Sequence, residues 1–167
     1  MRMGWIWWGE YNVSHNEELK GKMKSDTSIR NICIASIKRH TIKPFDFLCT
    51  KIFETETFPE IYNDTFKLSD IHENERPISQ TTIDKNNWTL VTTRQIISCV
   101  AGITKITGAE SVLNWKWNDF KGYDKTPFTI GQLQTDNDPN MEIFIETGKA
   151  SLVTIYAIMT LVRQVTS

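Results

Sequence analysis

Apolar positions recur at helical spacing near the start of this chain and at its end, with alternating, strand-like runs between. From Ser28 to His40, Ile29, Ile32, Cys33 and Ile37 fall on one helical face. Ser28 is placed to cap that helix, and Lys38, Arg39 and His40 suit its C-terminal end electrostatically. Isoleucine content keeps a strand open as the alternative, and Pro44 ends the segment either way. Residues 14–26 before it are polar and lysine-rich, a connector or a short exposed helix. Phe45 to Phe58 is strongly apolar with an ambiguous period. Pro59, with Glu60 in the first turn, opens a short helix reaching Asp70. The charged run His72-Glu73-Asn74-Glu75-Arg76-Pro77 then marks a boundary.

Beyond Pro77 the period changes to two. Ile78 to Asp84 reads as a strand, Asp84 to Asn87 as a turn, and Trp88 to Thr93 as a second strand. Trp88, Leu90 and Thr92 share one face of it, and Thr89, Val91 and Thr93 the other. Arg94 opens a bulge or tight turn before a strand from Gln95 to Val100. Gly102 and Gly108 bracket Ile103 to Thr107. Ser111 to Trp117, Phe128 to Gln134 and Met141 to Glu146 alternate in the same way, with polar loops at Asn118 to Thr126 and Thr135 to Asn140. From Ala150 to Val165, Val153, Ala157, Leu161 and Val165 repeat every four residues, and Tyr156, Ile158, Met159 and Val162 widen the stripe. A helix apolar over so much of its circumference must be largely covered.

The segments Asn87-Trp88-Thr89-Leu90-Val91-Thr92-Thr93-Arg94-Gln95-Ile96-Ile97-Ser98 and Asn118-Asp119-Phe120-Lys121-Gly122, with a last strand running straight into a helix, give residues 73–167 a family look. This part resembles the bacterial pleckstrin-homology-like (PH-like) domains. The resemblance implies an α+β fold in which a strongly bent antiparallel sheet, or partly open β-barrel, is capped by the C-terminal helix. It also implies binding or assembly more often than catalysis. The expected organisation is therefore a mainly helical or irregular extension, 1–72, packed on a PH-like domain, 73–167.

Composition narrows the partners. The 167 residues are 40% hydrophobic and 23% charged, with 19 basic against 20 acidic side chains and a net charge of -1. A globally basic, phosphate-seeking surface is not predicted, which makes nucleic acid an unfavoured partner and leaves only a local basic patch open. Cys33, Cys49 and Cys99 form no CxxC pair and cannot all be paired within the chain, so a reducing cytoplasm is expected. The sequons at Asn12, Asn63 and Asn87 then carry no glycan. The apolar residues before Glu10 are too few for the roughly 20 of a membrane span or for a secretory h-region. Trp5, Trp7 and Trp8 still require cover, either as a strap on the domain or as a membrane-surface or partner anchor.

No motif identifies a reaction. Glu146-Thr147-Gly148-Lys149-Ala150-Ser151 lies where a phosphate loop would, yet Ile143 stands where such a loop needs its first glycine, and Ala150 replaces the magnesium-binding hydroxyl. Asp136-Asn137-Asp138 lacks the glycine and closing glutamate of a calcium loop. His15, His40 and His72 are isolated, so no metal site is expected. The cysteines sit among apolar residues, and Glu54/Glu56 and Glu142/Glu146 are carboxylate pairs of the kind solvated strands also carry. No cofactor is implied. The basic cluster Lys20, Lys22, Lys24, Arg30, Lys38, Arg39 and Lys43 is diluted by Glu17, Glu18 and Asp26 and reads as a solvated face.

The densest mix of aromatic and charged groups is Trp115, Trp117, Phe120 and Lys121. Inward-pointing tryptophans would be core; exposed beside Phe120 and Lys121 they would form a partner surface. The preferred expectation is a non-catalytic protein-binding module, an inhibitor, immunity or assembly protein, recognising its partner by an aromatic anchor or an exposed sheet edge. A membrane-surface or anionic-lipid binder and a small hydrolase assembled from distant residues are the alternatives.

Overall fold

A computed structural model describes residues 23–58 and 71–167 of the chain. The tryptophans Trp5, Trp7 and Trp8 and the whole helix expected from Pro59 to Asp70 lie outside the described residues. The first described element is a helix, α1 (Asp26–His40), which settles the helix-or-strand alternative. It begins where Ser25, in extended backbone, accepts the Ser28 amide on its hydroxyl at 3.2 Å. The cap is thus three residues earlier than expected, and Ser28 supplies the donor. Ile29, Cys33 and Ile37 form the buried row of this helix.

Among the described residues eight strands follow: β1 (Thr50–Ile52), β2 (Pro77–Asp84), β3 (Asn87–Thr92), β4 (Gln95–Val100), β5 (Ile103–Gly108), β6 (Val112–Lys116), β7 (Phe128–Thr135) and β8 (Met141–Glu146). They pair antiparallel as a five-stranded sheet in the order β1-β2-β3-β4-β5 and a three-stranded sheet in the order β6-β7-β8. Consecutive hairpins explain the order. At Asp84 the carboxylate accepts the Asn86 amide at 2.7 Å and the Asn87 side chain at 2.9 Å, an Asx-type turn. Between β4 and β5 only Ala101 (φ 50) and Gly102 (φ 79) intervene, the left-handed pair of a two-residue hairpin.

The strands do not close into a barrel. A single 3-10 turn, Ala109–Ser111, carries the chain from β5 to β6, and these two strands do not pair. The sheets meet face to edge: Thr89 of β3 accepts the Phe144 amide of β8 on its hydroxyl at 2.8 Å. Gly131, in the middle of β7, is required by close approach, since a Cβ there would sit 2.8 Å from Ile145 Cδ1.

The closing helix, α2 (Ser151–Thr166), follows β8 after a 3-10 turn. Its Val153, Ala157, Ile158 and Leu161 are fully buried among Ile78, Val91, Ile96, Leu133, Ile143 and Ile145 of both sheets and Cys33 and Ile37 of α1. Each large side chain so buried is worth about 1.5–3 kcal/mol. The wide apolar stripe is explained: sheets cover one side of α2 and α1 the other. On the opposite face of the five-stranded sheet, Phe53, Trp88, Leu90, Ile97 and Cys99 form a second cluster. Burial on both faces is why Leu90-Val91 and Ile96-Ile97 are apolar pairs and not alternating ones. The architecture is α+β, and no helix among the described residues is long and apolar enough to cross a membrane.

Candidate functional site

The aromatic group expected around Trp115 divides into two parts. Trp115 and Trp117 stack on one another, with centroids 5.7 Å apart and planes at 20°, and pack half-buried against the main core together with Phe120. Lys121 is exposed, its ammonium 6.0 Å from the Phe120 ring and 5.9 Å from that of Tyr123. The loop is built on Asp119, whose carboxylate accepts the Tyr123 and Asp124 amides at 3.1 and 2.8 Å. Those bonds outweigh desolvation and hold its carboxyl below the usual range.

Other candidates are taken up by the fold. Lys149 donates to Pro44 O and the Asp46 carboxylate at 2.9 and 2.7 Å, stapling the strand–helix corner to the segment before β1. Glu146 is buried and accepts the Leu48 and Cys49 amides, both at 2.8 Å. Arg30, counted within the basic cluster, is only 6% exposed and donates to the carbonyls of Phe53, Thr55 and Pro77. Burial pushes the Cys33 thiol up to about 12, which makes it an inert core group. Among the described residues no group of three His, Cys, Asp or Glu side chains is placed to hold a metal.

One polar cluster had no sequence signal. Asp26 accepts from the Thr93 hydroxyl and, at 3.0 and 2.7 Å, from Nε and Nη2 of Arg94. Beside it, buried Glu75 accepts from the Thr92 hydroxyl, from Gln95 Nε2 at 3.1 Å and from the His72 amide at 3.0 Å. Apart from the His72 amide, their partners lie 17 to 68 residues away along the chain. Both carboxylates are saturated with donors, and their work is to bind α1 and the segment before β2 to the β3–β4 turn.

Among the described residues β5 is an open edge, as β6 is in the three-stranded sheet. Strand β5 pairs with β4 from Ile103↔Val100 to Gly108↔Gln95 and, among the described residues, has no strand on its other side. In a two-residue hairpin the pairs Val100–Ile103, Ser98–Lys105 and Ile96–Thr107 exchange the main-chain bonds, which turns the N–H and C=O of Thr104 and Ile106 outward. Ile103 is 68% exposed and Ile106 44%. A six-residue edge with bare main chain and two exposed isoleucines is a template for a further strand. The glycine-bracketed strand was legible in the sequence; its edge position was not.

Comparison with family models, curated proteins and solved structures finds no match to this chain.

Proposed function

We propose that this chain is a non-catalytic protein-binding module of PH-like build that takes up an extended segment of its partner along β5. The PH-like part of this reading is supported by order alone. Strands β2 to β5 form one meander, β6 to β8 a second, and α2 follows the last strand at once; α1 and β1 are additions. The observation that carries the binding mode is the free edge of β5 with its outward main-chain groups and exposed Ile103 and Ile106. Strand addition gives affinity through main-chain bonds and specificity through alternate side chains. Inhibition, immunity and assembly each reduce to such a capture. The loop of Phe120, Lys121 and exposed Tyr123 is a second contact surface within the same reading.

Replacing Ile106 by proline tests the mode, because its N–H points away from β4 and proline is tolerated at such edge positions. Tagged full-length protein, crosslinked in native extract and analysed by mass spectrometry, is expected to crosslink a partner at β5. The Ile106→Pro variant loses that crosslink, while Ile42→Lys, at an exposed isoleucine far along the chain, keeps it. A partner retained by Ile106→Pro removes β5 as the site. Phe120→Ala with Lys121→Ala reports separately on the loop.

A further inference from the structure

We infer that the segment received by β5 is basic, an extended stretch alternating aliphatic residues with lysine or arginine, and that Glu142 reads its charge. The inference rests on strand addition at β5 and adds the chemistry of the partner. A strand laid beside β5 sends alternate side chains to the two faces of the sheet. On one face they run beside Thr104 and Ile106 and meet aliphatic surface. On the other they continue the row Ile103, Lys105 and Thr107 into the space between the sheets. There a hollow of about 240 Å³ is lined by Ser98, Val100, Ala101, Ile103, Lys105 and Glu142. Its walls offer carbon to the stem of a long side chain, and its rim offers one carboxylate to the head, the arrangement that suits lysine or arginine.

The charges around the edge point the same way. Lys105 is the cation of β5 itself, and it is already held by Asp138 at 2.6 Å. That contact also draws the Asp138 carboxyl below its usual range. Among the described residues Glu142 and Asp136 are exposed and have no ion-pair partner. Glu110 folds its carboxylate back over Gly108 at the far end of the strand. Beside a Lys105 already paired with Asp138, the hollow therefore presents the unneutralised carboxylate of Glu142, which attracts a basic segment and repels an acidic one. A second copy of this chain is disfavoured as the occupant, because β5 pairing with itself would bring two such rims together.

Fluorescein-labelled octapeptides alternating valine with lysine, glutamate or serine, titrated into the full chain by anisotropy, test the idea. The lysine peptide is expected to bind about three- to tenfold tighter than the serine peptide, the range of one or two partly exposed ion pairs, and the glutamate peptide weakest. Glu142→Lys reverses the order of the lysine and glutamate peptides. Raising salt towards about 1 M shrinks the lysine preference as screening shortens. Equal binding of the three peptides that Ile106→Pro abolishes overturns the basic partner and leaves strand addition standing. Binding that survives Ile106→Pro, or no binding at all, overturns both. A dimer seen by sedimentation that Ile106→Pro dissociates makes a second copy the occupant and likewise overturns the proposal.

Discussion

β1 and β5 are the two edges of one sheet, and they are finished in opposite ways. β1 has only three residues and is fixed by groups from across the chain. Glu146 accepts the two amides just before it, and the Thr50 hydroxyl joins Thr81 at 2.9 Å, which in turn joins Thr154 of α2 at 3.1 Å. Arg30 of α1 gathers the carbonyls at its end. β5 is twice as long and carries one exposed ion pair, Lys105–Asp138. Exposed pairs of that kind contribute about 0–1 kcal/mol. The comparison teaches that an edge is closed here by distant side chains.

The largest expected effect is at the closed edge. Glu146→Ala leaves two main-chain amides without their acceptor and costs about 2–3 kcal/mol in urea unfolding. Thr104→Ala on β5 stays within about 0.5 kcal/mol. Equal costs would erase the distinction between the edges.

Acid sharpens it next. Burial alone would raise the Asp26 carboxyl, but the bonds from Arg94 and Thr93 and the nearby guanidinium charge outweigh this and hold it low. A carboxyl lower in the folded than in the unfolded chain stabilises above the unfolded value, near about 4, and that contribution is lost as pH falls through the folded value. Asp26→Asn should cost about 1–2 kcal/mol at neutral pH and lose less stability than the parent between about pH 4 and 2. A parallel decline in both proteins would show that this clamp does not set the acid response.

The smallest effect lies in the open hairpin. Ala101 sits at φ 50 with its amide donating to Asn87 Oδ1 at 2.9 Å. Ala101→Asn puts a residue that tolerates the left-handed region before Gly102 and is expected to add about 0.5–1 kcal/mol. A loss of stability would mean that the hairpin, and with it the aim of β5, is held by something other than its turn.

The strands from Ile78 to Glu146 and the helices around Ile29–Ile37 and Val153–Leu161 were legible because side-chain direction repeats every two or 3.6 residues whatever the surroundings. The Asp84–Asn87 turn was legible for the same local reason. Ser25 was missed as the cap because Ser28 fits the same role by composition. The split into two sheets, the stacked burial of Trp115 and Trp117, and the roles of Glu146, Arg30 and Asp26 left no local trace. Glu146 meets its amides 98 and 97 residues away, and Arg30 reaches Pro77 across 47.

By itself the sequence determined the strands from Ile78 to Glu146, the closing helix and which face of each is apolar, since those depend on neighbours a few bonds apart. It left a strand as the alternative to a helix over 28–40, and 45–58 without a clear period. Only the tertiary structure decided that β1 is sealed and β5 open. Whether a strand has a partner on its second side depends on where chain closure brings residues that are far apart in sequence, and no local period encodes that.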